Sequence, residues 1–195
     1  MRMIRQTDLI RQANLIRQAN LIRQANFIRL ANYSDLEQIT KIIKAVCQEM
    51  HLQGNDQWDD NYPVTADFVN DIQKKELYVN EINGLVSGFI CINYSQPEEY
   101  TKVNWSANQK PMILHRMAVA PDFRGRGIGS ILLQFAEGIA QDSGVNYLRS
   151  DTNSLNDKMN ALFRKLGYAF VGEMPAFGKK SPFNFYDKVL VHSEN

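Results

Sequence analysis

Leu36, Ile39, Ile42, Ile43 and Val46 recur at helical spacing, which predicts a helix capped by Ser34 with Glu37 three residues on. The polar and aromatic run 53–63 breaks that pattern, and Thr65 or Asp67 opens a second, short helix. Glu76–Ile82 and Leu85–Tyr94 read as two strands, joined by Asn83-Gly84, the pair that favours a tight hairpin turn. A long polar connection, Ser95–Lys110, is expected on the surface and mobile. Pro111–Ala120 reads as a buried strand. Beyond a glycine cluster, Ile128, Ile131, Leu132, Phe135 and Ile139 line one face of a helix. Val145–Asp151 predicts a strand, Leu155–Leu166 a helix, and Tyr168–Glu173 with Phe183–Val191 the closing strands. The expected fold is α/β, a mixed sheet with helices on both faces.

The N-terminus departs from this grammar. Leu9–Asn14, Leu15–Asn20 and Leu21–Asn26 all read LIRQAN, and Phe27–Asn32 reads FIRLAN. Such few copies, without glycine, do not make a solenoid. Six residues turn a helix by about 240°, which scatters the apolar pairs around it. An even period instead keeps each side chain on one face of a strand, so any copy fits the same strand slot. Phe27–Leu30, joined directly to the first predicted helix, is the expected first strand. The chain thus divides into a duplicated extension, 1–26, and a single domain, 27–195. The extension is expected to have no catalytic role.

Composition narrows the picture. The chain has 195 residues, enough for one domain with a core. Its net charge of +1 provides no field for nucleic acid. The extension is the basic part, with five arginines and one aspartate. Cys47 and Cys91 sit in apolar patterns without ligands at metal spacing, so neither a disulfide nor a metal site is expected. No run is long enough to span a membrane, and the reading is a soluble cytoplasmic protein.

The chemistry concentrates between His115 and Ser130. There a strand enters a glycine turn and the first turn of an amphipathic helix, a place where free N–H groups receive phosphate. Arg124 and Arg126 add guanidinium donors. Arg124-Gly125-Arg126-Gly127-Ile128-Gly129 is neither the dinucleotide pattern nor the nucleotide-triphosphate loop, which needs a lysine. It resembles the Arg/Gln-x-x-Gly-x-Gly/Ala motif of the GNAT acetyltransferases. Asn156 and the segment Ala161 to Tyr168 are similar to that family's Asn…Ala-x-Tyr-x-x-x-Gly-Phe stretch.

The resemblance, which covers about Phe27 to Leu190, implies a mostly antiparallel sheet in which two parallel strands splay apart around acetyl-CoA. It implies that the backbone of Met117, Ala118 and Val119 holds the pantetheine arm. Arg124, Gly125, Arg126, Gly127, Ile128, Gly129 and Ser130 would hold the pyrophosphate, and Asn156 would lie near the reactive end. Phe163 stands where many relatives have a tyrosine that protonates the leaving thiolate, and phenylalanine has no proton to give.

Amine acetylation also needs a route for the amine's proton. His115 is the candidate base or proton relay, expected on the face of Met117 and Val119 by strand alternation and near its ordinary pKa of about 6.5. Trp58, Asp59 and Tyr62 set aromatics beside carboxylates in the loop after the first helix, a composition suited to a cationic acceptor. The expected activity is acetyl transfer from acetyl-CoA to a primary amine of a small molecule or peptide. The alternative is a catalytically weak CoA-binding sensor of the same fold, and the hexads leave room for pairing into a homo-oligomer.

Overall fold

A computed structural model describes residues 26–191. The hexads before Asn26, and His192, lie outside them. Seven strands form one sheet: β1 (Asn26–Leu30), β2 (Leu77–Ile82), β3 (Leu85–Asn93), β4 (Met112–Val119), β5 (Tyr147–Asn153), β6 (Ala169–Met174) and β7 (Phe183–Val189). Their spatial order is β1-β2-β3-β4-β5-β7-β6. Every neighbouring pair is antiparallel except β4 and β5.

Helices α1 (Leu36–Leu52) and α2 (Thr65–Gln73) cover one face; α3 (Ile128–Asp142) and α4 (Asp157–Lys165) cover the other. On the first side Ile39, Ile42, Val46 and Phe68 pack on Val79, Val86 and Phe89. On the second, Leu132, Leu133, Ala136 and Phe163 pack on Ile90, Met112, Leu114 and Leu148. The apolar spacing that predicted α1 is the spacing of its buried stripe, whereas α3 buries Ile128, Leu132, Leu133, Ala136 and Ala140, with the expected Phe135 and Ile139 only partly buried beside them.

Two local expectations change. The cap before α1 is not Ser34: Asn32 accepts from Ser34 N at 2.9 Å, and Asp35 accepts from Asn32 N at 2.8 Å. This reciprocal pair closes a 3₁₀ turn, Tyr33–Asp35, that leads into α1. The connection 95–110 is no loose loop either. Tyr100 is buried within it, and Trp105 Nε1 donates to Tyr100 O at 2.8 Å. Ser106 holds Asp187 of β7 through its N–H and hydroxyl, at 2.7 and 2.9 Å. The polar composition hid these anchors, because one aromatic is enough to pin a short segment to the core. Among the described residues, no helix is long and apolar enough to cross a membrane.

Candidate active site

The site begins where the sheet stops pairing. β4 and β5 are in register only at Met112–Leu148 and Ile113–Arg149, and beyond those pairs they diverge. Ser150 Oγ donates to Leu114 O at 3.0 Å, at the base of the fork. The β4 backbone past Ile113 has no β5 partner on that side, leaving donors and acceptors for a ligand.

A bulge re-aims the side chains of β4. Phe89 lies opposite Ala118 and Cys91 opposite His115, so β4 carries one more residue than β3 between these pairs. Arg116 takes the strain, with φ of +39°. Its guanidinium is fixed from several sides: Nε and Nη2 each donate to Asp71 at 2.7 Å, and Nη1 donates to Tyr62 OH at 3.0 Å. Asp71, Glu76 and Cys91 cluster beside it, and the cation among them is Arg116 itself. The bulge overturns the alternation argument for His115. Met117 and Val119 pack on the α3 side, whereas His115 and Arg116 both line a recess with Asp71, Asn93 and Ser95.

The glycine turn has the geometry of an anion cradle. Gly125 and Gly127 have φ of +74° and +80°, and a Cβ at either would meet nothing within 4 Å. Glycine is needed there for its backbone angles, and the space before it is open. α3 starts at Ile128 without a side-chain cap, so the first-turn N–H groups stay free. Gly129 differs: a Cβ there would come within 2.9 Å of Leu162, so this glycine lets α3 approach α4.

A groove of about 310 Å³ runs along this turn, lined by Met117, Ala118, Val119, Arg124, Gly125, Gly127, Ile128, Gly129, Ser130 and Asn156. These residues fit a pyrophosphate and a slender arm beside it. Arg124 is held by Glu49 of α1 and by Val119 O at 3.3 Å. Arg126 does not line the groove and lies over the Phe123 ring at 5.2 Å. Phe163 does not line it either. It is fully buried, stacked on Tyr186 at 4.9 Å.

A second cavity, of about 450 Å³, opens in the fork and shares Met50, Met117, Asn156 and Met159 with the groove. Trp58, Asp59 and Tyr62 line it from the loop after α1, His115 from β4, and Phe177 and Lys179 from the β6–β7 loop. The two loops hold each other: Lys179 Nζ donates to Asp59 at 2.6 Å and Lys180 N to Asp56 at 2.9 Å. The Lys179 bond, chiefly, keeps the Asp59 carboxyl below its usual range. Asn156 also caps α4, accepting from Met159 N at 3.2 Å.

Two electrostatic features lie beyond the reach of the sequence pattern. His115 contacts Ser95 O at 2.9 Å, and since a carbonyl only accepts, the ring proton sits on Nε2 and the lone pair on Nδ1. Burial, with Arg116 adjacent, pushes this imidazole down to about 4. It is neutral at neutral pH, not poised near 6.5. The second feature is Asp151 on β5, which no sequence motif singles out. It lines the cavity and accepts from Tyr100 OH at 2.7 Å, and burial pushes its carboxyl up to about 6. Its one signal is its place near the C-terminal end of a parallel strand, where ligands of open sheets bind.

Comparison with known proteins agrees with this geometry. The acetyltransferase (GNAT) family profile matches residues 42–168. The chain is 25% identical over 147 residues to the uncharacterized N-acetyltransferase YesJ of Bacillus subtilis, covering 71% of this chain and 78% of that one. A GNAT-family acetyltransferase structure from Streptococcus agalactiae superposes with a TM-score of 0.76 at 28% identity, over 87% of this chain and 98% of its own. The structure of yncA from Salmonella typhimurium, with its cofactor acetyl-CoA, has the same fold at 20% identity and a TM-score of 0.65, over 88% and 97%. With the splayed strands, the uncapped glycine turn and these relatives together, the chain belongs to the acetyltransferase (GNAT) family and is an acetyltransferase.

Proposed function

We propose that the enzyme transfers the acetyl group of acetyl-CoA to a primary amine of a small molecule or peptide. The observation that carries this reading is the meeting of two cavities at the β4–β5 fork, one fitted to a phosphate-bearing arm and the other lined by aromatics and carboxylates. Acetyl-CoA supplies an activated acyl thioester. The chain's part is to hold it, orient the amine and take away protons.

In this reading the unpaired backbone of Met117 and Val119 holds the pantetheine arm. The first-turn N–H groups of Ile128, Gly129 and Ser130 receive the pyrophosphate. Arg124 lies close enough to join them by exchanging Glu49 for phosphate. Asn156, common to both cavities, lies near the thioester. Trp58, Asp59 and Tyr62 form the wall around the acceptor. His115 accepts at Nδ1 and borders the polar recess behind it, which supports a proton relay leading outward. Phe163 takes no part in proton transfer, and in this reading water protonates the leaving thiolate in its place.

The test is thiol release from acetyl-CoA by the purified chain against a panel of amines. Amine-dependent release well above background is expected. Tight acetyl-CoA binding without it would favour the CoA-binding sensor.

A further inference from the structure

We propose that Asp151 is the seat of the acceptor's ammonium and the first acceptor of its proton, and that it selects a compact primary monoamine with an apolar body. The proposal rests on the acetyltransferase reading above and adds a residue and a substrate class to it.

Among the described residues, four charged side chains line the fork cavity: Asp59, Arg116, Asp151 and Lys179. The charges of the other three are already answered inside the chain. Lys179 is 2.6 Å from Asp59, and Arg116 is bound twice by Asp71. Asp151 forms no ion pair among the described residues, and its hydrogen bond comes from the neutral Tyr100 hydroxyl. A carboxylate removed from water without a cation is costly, and a bound ammonium relieves that cost. The cavity therefore has one unanswered charge, and it is negative.

The substrate class comes from that balance. One ammonium is welcomed. A second amine finds no second free carboxylate, because Asp59 is held by Lys179. A carboxylate on the substrate finds no free cation, because Lys179 and Arg116 are both paired. Around the charge the walls are largely apolar: Trp58, Leu114, Leu133, Met159, Phe177 and Phe183. A polyol amine would exchange much of its water for apolar wall there, with the polar Gln57, Asn61 and Asn156 replacing only part of it.

In the transfer step the ammonium gives one proton to the Asp151 carboxylate, and the freed nitrogen pair forms the C–N bond to the acetyl carbonyl carbon. The C–S bond breaks with its electron pair on sulfur. The second nitrogen proton is lost to water or His115, and the thiolate takes one from water. The groups that act on Asp151 come from several elements: Glu99 and Tyr100 from a second 3₁₀ turn, Glu98–Lys102, and Tyr62 from the loop after α1, while Arg149 on its own strand acts on the Tyr100 hydroxyl. His115 and Arg116 on β4, and the Asp59–Lys179 pair, border the same cavity. The Tyr100 bond lowers this pKa against burial.

The experiment compares 3-methylbutylamine, leucine and 1,4-diaminobutane as acceptors for the full chain, with acetyl-CoA affinity measured by calorimetry. Leucine differs from the first amine by its carboxylate alone. We expect kcat/KM for 3-methylbutylamine to exceed both others by about tenfold or more, and to fall below about pH 6. Asp151→Asn should lower it by about 10²- to 10⁴-fold and remove that acid limb, with acetyl-CoA affinity unchanged. Tyr100→Phe, which leaves the carboxylate in place, should move the limb to higher pH. Equal use of all three amines, or an Asp151→Asn chain that keeps its turnover and limb, overturns the inference while leaving acetyl transfer intact. Acetyl-CoA binding with no turnover of any amine overturns the acetyltransferase reading and this inference together.

Discussion

His115 and Arg116 are neighbours that face the same recess, an arrangement strand alternation forbids and a bulge permits. The side chain could be chosen from the sequence, because a histidine before a glycine turn is conspicuous. Its surroundings could not, since Ser95 and Arg116 set its proton and its pKa through the folded geometry. Asp151 was illegible for the same reason: its partner Tyr100 is 51 residues away, in a segment whose composition reads as loop. Trp58, Asp59 and Tyr62 stand together in the sequence as aromatics beside carboxylates, and the fold brings all three to the wall of the fork cavity. If His115 relays rather than starts the proton transfer, His115→Ala should lower kcat by about 10²-fold with acetyl-CoA affinity retained. The acid limb near pH 6 should persist in that variant, because it belongs to Asp151. A limb that disappears with His115 would return the role of base to the histidine.

At the scale of elements, local chemistry was the better guide. Asn83 and Gly84 have φ of +53° and +79°, as the hairpin signal requires, and β2 and β3 flank them. The α1 stripe and the strand-to-helix glycine turn were equally readable, each depending on a few adjacent residues, whereas the α3 stripe was read one position off because the small Ala136 and Ala140 carry part of it. The splay of β4 from β5 was not readable from periodicity and entered only through family resemblance. The glycine turn allows a sharp test of the cradle. Gly127→Trp places a bulky side chain in the open approach at a left-handed backbone position, and should weaken acetyl-CoA binding by about 10²-fold or more. Arg124→Ala should cost about tenfold or less, since backbone donors remain and Glu49 is merely released. Calorimetry on folded variants decides it, and unchanged affinity in Gly127→Trp would refute the cradle.

For the whole molecule, association is the property to test, and it turns on the repeated N-terminus, which lies outside the described residues. β1 is an edge strand, and Phe27 and Leu30 on it are exposed. We propose that the hexads, whose even period suits a strand, pair with a second copy beside this edge. A chain beginning near Gln24 should therefore keep its turnover while its oligomer, measured by light scattering, dissociates. Loss of turnover in a monodisperse shortened chain would mean that the hexads contribute to the enzyme itself.

Two titrating groups of the fork cavity, Asp151 and His115, also bear on acid tolerance. The folded chain holds the Asp151 proton up to about pH 6, whereas an unfolded aspartate releases it near about 3.9. The resulting stability is full below about pH 4 and lost as pH rises through 6. His115 does the reverse. An unfolded imidazole binds its proton near about 6.5 and the folded one only near about 4, so its stability is full above 6.5 and lost as pH falls. Across the interval between, one gain offsets the other, and the melting temperature of the enzyme should be nearly insensitive to these two residues together. Singly they should be visible. Relative to the parent, Asp151→Asn should become more stable as pH rises from 4 to 6, and His115→Gln should become more stable as pH falls over the same range. Melting curves with opposite slopes would reveal a cavity whose chemistry for amines also buffers the fold against acid.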